Sequence, residues 1–576
     1  MVGGMKMTVE ELQKIYTARP FKIRNADEYD LENILDLFVD PTDGLAGPFD
    51  FTNSIIKGKM GSGKTMYLRA NYAYYLYTLV PCLIEGGSLV LPVYIKLSDF
   101  QNIHSPEKIY YAILIKIIEE IVGVCKHLQS ADELARLHTG VRNLAGIWDT
   151  ESAYIKIAEK LKTLTAKEYV ERVSNSFEVN GSATAKFLAV YQGYEKNVVN
   201  EIKKNTTPSF QDVVDTCNQL IAAFNGKLLL LLDEVGSINK TFFRDSKNGT
   251  SYFETLMNQF RTLSFVRTKI AIYPHSESDI LTETRYGDAI ELECDFEGNS
   301  MLYSSFVEKT VSLIERYVQK VSDGSIRAEE VFKVSVDDQQ IIIQLINASK
   351  GNMRRLVHLL DMSMNMAFIR CQGKEVVMID DVLSSLRRQG EMMENKYTSP
   401  EKTFLSNIAM ICKKRSTYKF NYPNKSVFLT KFTSLSEEYN IINIQQAGTG
   451  RKGSIYAFDY AYCVYKDLPT HYVKDSEKID KTRDSIKGEP IQRIAQLTDE
   501  IIEQSNIRGK VDGVVEFWTE DTGGIAKGED GVSYIVLNDN IIKSDKNKSI
   551  HIGSSLRFVA SKMNNMAVAA EVEILN

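Results

Sequence analysis

Along the first half of the chain, short apolar runs alternate with stretches whose apolar residues recur at helical spacing. Ser54-Ile55-Ile56, Leu89–Leu97, Lys227–Leu232, Lys269–Tyr273 and Asp288–Cys294 read as strands, and Met66–Tyr77 and Ile109–Val124 as helices. The uninterrupted run Leu228–Leu232 suits a central parallel strand covered on both faces. This alternation predicts an α/β fold with a parallel sheet flanked by helices. The helical pattern filling residues 101–225, Tyr154–Leu164 included, is long for a plain crossover and predicts an insertion that offers a surface to a protein partner.

From about Ser300 to Arg388 the pattern is helical throughout, notably in Phe306–Val318, Asp338–Ile346 and Asn352–Phe368, which predicts a helical lid. Ser399–Arg415 and Lys425–Asn440 read as helices, the second centred on Leu435–Tyr439. They precede two strands, Ile441–Ile444 and Ser454–Phe458, joined by the Gly-rich basic turn Ala447–Gly453, and together describe a winged helix. Lys474–Lys487 is charged and nearly free of apolar residues, a linker before one more helix at Ile491–Ser505. Gly513–Trp518, Gly523–Ala526, Ser533–Leu537 and Ala569–Leu575 are short strands with Gly turns, an all-β tail. The expected division is a lead (1–25), a base (26–297) carrying the insertion (101–225), a lid (298–390), a winged helix (391–473), a linker and helix (474–506) and a barrel (507–576).

Length agrees, since 576 residues suggest about three or four domains. A net charge of −6 excludes a chain built as a polycation, so any nucleic-acid surface must be local. Seven scattered cysteines with no CxxC pair, beside only seven histidines, argue against structural zinc and fit a reducing cytoplasm. The apolar runs are too short or too broken to cross a bilayer, and Met1–Met7 has no apolar core of a signal peptide.

The clearest chemistry is Gly58-Lys59-Met60-Gly61-Ser62-Gly63-Lys64-Thr65, set between a strand and a helix. It fits the GxxxxGK[ST] P-loop pattern, in which glycines turn backbone N–H groups toward phosphates at a helix N-terminus. Gly58, Gly61, Ser62 and Gly63 would form the cradle and Lys64 would reach the β- and γ-phosphates; the Thr65 hydroxyl would sit on Mg²⁺. A second carboxylate at the end of a buried strand is expected, and Asp233-Glu234 supplies it: Asp233 for the Mg²⁺ shell, Glu234 to polarise the attacking water. The adjacent Glu and the lack of an NKxD-type guanine reader favour ATP. His275 and Ser276, at the end of the next strand, are candidate γ-phosphate sensors. Arg285 is the candidate arginine finger for a neighbouring subunit, with Arg261 and Arg267 as competitors. Arg354, in Gly351-Asn352-Met353-Arg354, opens a lid helix and could fold over the phosphates.

The P-loop Gly58–Thr65, the Asp233-Glu234 strand end, the strand ending Tyr273-Pro274 and the Gly-Asn-x-Arg of Gly351–Arg354 together resemble AAA+ ATPases. Within these, the lid helix followed by a winged-helix candidate is similar to the initiator clade, the origin-recognition and cell-division-control ATPases and their prokaryotic relatives. The resemblance spans roughly residues 20–470. It implies a nucleotide-dependent assembly, as a homo-oligomer or with another subunit, and a slow, regulated ATPase. The chain departs from it in the large insertion and in a sensor strand ending Tyr-Pro-His.

Glu401–Val473 carries ten Lys and Arg against five Asp and Glu, a local +5 within a −6 chain. That contrast makes the winged helix the expected duplex-DNA module, with Arg451 and Lys452 on phosphates or in the minor groove. The tail resembles a cold-shock-type OB barrel in its Gly-x-Val-x-aromatic-aromatic opening and its closing Ala-Ala-Glu-Val-Glu-Ile-Leu strand. Such barrels stack bases of single strands on aromatics, for which Phe517, Trp518 and Tyr534 are the candidates, at least one of the first two being core. The expected function is an ATP-driven DNA-binding switch serving replication, mobile-element maintenance or antiphage defence. The alternative is a signalling scaffold whose nucleotide state governs recruitment of an effector protein, with DNA incidental.

Overall fold

A computed structural model describes residues 7–41, 47–85, 90–139, 209–220, 226–238, 240–243, 251–273, 287–292, 300–333, 339–422, 427–433, 439–448, 453–469, 485–488, 494–505, 507, 510–529, 531–542, 545, 548–563 and 566–575. It has a mixed α/β architecture in two compact units: Ala18–Ala328 with Gly351–His358, and Met1–Thr17 with Glu329–Lys350 and Leu359–Asn576.

The first unit is built on a five-stranded sheet in the order β2-β3-β4-β1-β5, with β1 Ser54–Lys57, β2 Val90–Lys96, β3 Lys227–Asp233, β4 Val266–Ile272 and β5 Asp288–Glu291. Every neighbouring pair is parallel. Leu228–Leu232 are almost wholly buried, as a strand covered on both faces requires. Helix α1 (Lys64–Glu85) leaves the loop after β1, and α2 (Pro106–Thr139) follows β2. Because β4 lies between β1 and β3, the parallel strands bring three loop ends to one edge of the sheet: the P-loop, Asp233-Glu234 and Tyr273.

Helix α2 corrects the expected insertion. Ile109, Ile113, Leu114, Ile117, Ile118, Ile121 and Val124 lie in the same core as the sheet, at the i, i+4, i+8 spacing of one helix face. Val213 and Cys217 of α3 (Phe210–Leu220) join them. Residues 106–124 are therefore a layer of the base rather than an added module. The Tyr154–Leu164 pattern lies outside the described residues. On the N-terminal side, Phe21 stacks on Tyr317 of the helix Ser300–Val321, with ring centroids 5.5 Å apart. Arg69 of α1 donates to the carbonyls of Ala26 and Tyr29, so the start of the base is tied to the P-loop helix.

The second unit holds two further cores. Around the helix Ser399–Lys414, a four-stranded sheet runs β7-β8-β6-β9, with β6 Lys419–Tyr422, β7 Ile442–Gln446, β8 Ser454–Phe458 and β9 Ala495–Gln496. The expected hairpin is present as β7 and β8. The segment expected as a helix beyond the linker belongs to this core. β9 pairs in parallel with β6, and Ala495, Leu497 and Ile502 are buried in this core, while Asn407 donates to Ser505 at 3.0 Å. The single helix expected over Ile491–Ser505 is a strand residue pair followed by the helix Asp499–Gln504. The charged stretch 474–487 lies largely outside the described residues.

The tail is a closed barrel, β10-β11-β12-β14-β13, of Lys510–Thr519, Gly523–Gly528, Ser533–Val536, Ser555–Met563 (β13) and Met566–Ile574 (β14). Sequence reading missed β13, which pairs with both β10 and β14 and closes the barrel; its Leu556 and Phe558 alternate into the core. The Gly pair of β11 has a steric cause. A Cβ at Gly523, whose φ is +103°, would meet the Val536 carbonyl at 2.1 Å, and one at Gly524 would meet the Phe517 carbonyl at 1.9 Å.

Candidate functional site

The loop Gly58–Gly63 joins β1 to α1, and its positive φ values fall on glycines: Gly61 at +84° and Gly63 at +103°. A Cβ at Gly58 would come within 2.3 Å of the Ser62 hydroxyl, so the loop closes only around glycine there. Lys64 is 5% exposed. Its Nζ donates back to the carbonyls of Gly58 at 2.5 Å and Lys59 at 2.8 Å, and lies 4.0 Å above the Tyr273 ring. The ammonium is thus already inside the loop, with its charge turned to oxygens and a π face.

Asp233 ends β3 and is 1% exposed. Burial pushes its carboxyl above the usual range, and hydrogen bonds from Tyr94, Thr65 and the Glu234 N–H pull it back. The Tyr94 hydroxyl donates at 2.8 Å and the Glu234 N–H at 2.8 Å. Glu234 itself adopts φ 53°, ψ 40°, a left-handed conformation that costs a non-glycine residue on the order of 1 kcal/mol. The turn behind it holds that conformation, with the Ser237 N–H and hydroxyl both donating to the Glu234 carbonyl. On its other side, Lys96 Nζ lies 3.5 Å from Glu234 Oε1 and 2.9 Å from Asp27 Oδ2. Burial lowers the Lys96 pKa, but Asp27 and Glu234 outweigh it and the net shift is upward.

The lid helix Met353–Cys371 begins against the P-loop. The Arg354 N–H donates to the Gly61 carbonyl at 3.0 Å. Burial raises the Tyr273 pKa, as do the charges of Asp233 and Glu234, while Arg354 and Lys96 oppose them.

Lys64, Thr65, Asp233, Glu234 and Arg354 thus gather around one strand edge, with the glycine cradle and Ser62. His275, Ser276 and Arg285 lie outside the described residues, as do Arg451 and Lys452 at the tip of the β7–β8 hairpin. Tyr94, Lys96, Tyr273 and Asn352 were missed. The first two carried a signal only in register, because β2 pairs with β3 so that Lys96 faces Asp233.

Whether ATP and Mg²⁺ suit these residues can be tested on the chain's own atoms. The Ser62 hydroxyl is buried and has no hydrogen-bond partner among the described residues, at a place where a phosphate oxygen would supply one. Thr65 and Asp233 offer a hydroxyl and a carboxylate at the same strand edge, the hard oxygen donors Mg²⁺ takes. Among the described residues there is no group of three or more His, Cys, Asp or Glu placed to hold a metal. The residues fit both.

In the barrel, Phe517 is 54% exposed and lies beside exposed Ile525 across the strand pair. Trp518 packs partly against the barrel core. Tyr534 corrects the stacking assignment: at 5% exposure its ring packs on Phe558, 5.0 Å between centroids, and no surface face is left for a base. In the winged-helix candidate, Lys431 pairs with Glu401 and Lys466 with Glu394, which lies outside the stretch that was counted. Part of the local positive excess is therefore neutralised internally. No helix among the described residues is long and apolar enough to cross a membrane.

A family model described as ORC-CDC6-like matches residues 19–77, the segment carrying the lead, β1, the P-loop and most of α1. No curated protein matches the chain. Among solved structures, the Aeropyrum pernix ORC2 protein, in ADPNP-ADP complexes, is 11% identical over 72% of this chain and 87% of its own, with a TM-score of 0.29. A superposition that loose places no residue of this chain.

Proposed function

We propose that the chain is an ATP-binding and ATP-hydrolysing switch, similar to initiator ATPases, whose nucleotide state controls its grip on DNA. The observation that carries the reading is the glycine loop that already holds the buried Lys64, beside the strand end that carries buried Asp233 and then Glu234. Phosphates entering the cradle would accept from the loop N–H groups and from the Ser62 hydroxyl, and Lys64 would exchange two carbonyls for phosphate oxygens. Thr65 and Asp233 would hold Mg²⁺, which supplies charge neutralisation at the phosphates during cleavage. Glu234, set by its left-handed turn, would take the proton of the attacking water. Lys96, bridging Glu234 and Asp27, fixes that carboxylate's position. Arg354 would add positive charge from the lid, and Arg285 of a neighbouring copy would complete the site in an oligomer.

DNA binding is assigned to the β7–β8 hairpin, with Arg451 and Lys452 on duplex phosphates, and single-strand contact to Phe517 on the barrel. Replication initiation, mobile-element maintenance and antiphage defence are settings in which such a switch would serve. A second reading draws support from the exposed Phe517–Ile525 pair with exposed Val514 nearby, an apolar strip that suits a protein as well as a base. In that reading the chain is a nucleotide-controlled scaffold.

The test is fluorescence anisotropy of the Glu234→Gln protein on matched duplex and single-stranded DNA, with and without ATP. Tightening on duplex with ATP is expected, weakened when Arg451 and Lys452 are both changed to Glu, with a log–log salt slope smaller by about two. Binding to neither DNA in either state would overturn the DNA assignment and leave the scaffold.

A further inference from the structure

The first turn of the lid helix meets the P-loop through the loop's carbonyls. Asn352 Nδ2 donates to the Met60 carbonyl at 2.7 Å, and the Arg354 N–H donates to the Gly61 carbonyl at 3.0 Å. The same Asn352 side chain caps its own helix, its Oδ1 accepting from the Arg355 N–H at 2.9 Å. The seat is fitted to glycine: a Cβ at Gly61 would stand 2.6 Å from Asn352 Oδ1 and 2.8 Å from Nδ2.

A trans peptide unit is planar, and its C=O and N–H point in opposite directions. Holding the Met60 carbonyl therefore sets the direction of the Gly61 N–H, and holding the Gly61 carbonyl sets that of the Ser62 N–H. The reading of this loop as a phosphate cradle makes both of them donors to the ligand, the Ser62 N–H leaving the Lys59 carbonyl to which it now donates at 3.3 Å. Without the grip, two peptide units flanking a residue at φ +84° could rotate, and the cradle would have to be ordered at the moment of binding.

We propose that Asn352 is a positioning residue that orients the phosphate-binding amides of the P-loop from their carbonyl side, and so couples nucleotide occupancy to docking of the lid helix. The coupling is reciprocal, since whatever lid docking adds to nucleotide affinity, nucleotide adds to lid docking. It operates through the loop backbone and does not need the Arg354 side chain. The proposal rests on the reading of this loop as the ATP site.

Asn352→Asp separates the two tasks of the side chain. Aspartate still accepts from the Arg355 N–H and remains a good helix cap, but it offers no donor to Met60 and sets a carboxylate against that carbonyl. Three quantities would be measured on the full chain: ATP affinity by calorimetry, the unfolding midpoint, and amide exchange of residues 353–358 with and without ATP. The expected result is an unchanged midpoint, affinity weakened about five- to tenfold as for one net hydrogen bond lost, and no ATP-dependent protection of the lid turn. Asn352→Ser keeps a cap oxygen and lacks the amide donor, so it should behave alike and serves should the Asp variant misfold. Wild-type affinity with ATP-dependent protection intact in both variants would overturn the proposal. Lys64→Ala separates this outcome from failure of the underlying reading. If Lys64→Ala loses ATP while the Asn352 variants do not, the site stands and the coupling falls; if Lys64→Ala binds normally, the site itself is wrong.

Discussion

Lys269 shows how far a single side chain can depart from its ordinary chemistry in this fold. It is 1% exposed in β4, and its Nζ donates to two neutral oxygens, the Pro48 carbonyl and Asn71 Oδ1, at 2.8 Å each. Burial pushes its pKa down from 10.5 to about 8. Below pH 8 both folded and unfolded chains carry the proton, and the folded state bears the full cost of a buried charge, about 3 kcal/mol. Between pH 8 and 10.5 the unfolded chain binds a proton the folded chain does not, so stability rises with pH there. Buried tyrosines with raised pKa oppose that rise near pH 10, so the readout is a difference. Urea unfolding at pH 7.5 and pH 9 should show the wild type gaining on Lys269→Met as the pH rises, and a constant difference would place the cause elsewhere. Tyr94 acts on the site itself, through its hydroxyl on Asp233. Tyr94→Phe should raise the Mg²⁺ concentration needed for half-maximal ATP turnover about tenfold, in the range for loss of a ligand's supporting hydrogen bond. An unchanged Mg²⁺ dependence would remove Tyr94 from the metal's surroundings. Neither residue could be picked from sequence, because Tyr94 depends on β3 lying beside β2 and Lys269 on α1 and the Pro48 segment covering β4.

Elements that were legible carried their signal in one contiguous stretch. The P-loop is eight residues in a row, and β3 is an unbroken leucine run ending in Asp-Glu. The lid helices, observed at Ser300–Val321, Gln339–Ser349 and Met353–Cys371, have periodic apolar faces. What failed was assignment across gaps. The face of Ile109–Ile121 looks the same whether it covers this sheet or a separate module, and only the partner decides. β9 is two residues long and pairs with a strand more than seventy positions earlier, so no local pattern marks it. β13 follows a turn at Gly553 and its Leu556 and Phe558 alternate into the core, so its signal was present and was passed over. The revised boundary at residue 505 is testable. Ile502 is fully buried in the core that also holds Phe404 and Phe420, and Ile502→Ala should cost about 2–4 kcal/mol in that unit's unfolding. Under the original boundary Ile502 would sit in a helix outside the module, and truncation would cost a few tenths.

At the scale of the whole molecule, a −6 chain places its local basic excess in one stretch, and two lysines there are committed to carboxylates. Under the proposed DNA assignment, duplex affinity would depend on a small number of cations, Arg451 and Lys452 first, which makes the salt slope the sensitive readout. Upstream of DNA stands the claim on which everything else depends, that nucleotide is bound and cleaved at the Gly58–Thr65 loop with Glu234 as base. Single-turnover hydrolysis of ATP tests it most directly, in the wild type, Lys64→Ala and Glu234→Gln. The account predicts that Lys64→Ala fails to bind. It predicts that Glu234→Gln binds as the wild type does but cleaves at least about a hundredfold more slowly, the loss typical of a general base. Cleavage by Glu234→Gln at the wild-type rate would contradict it.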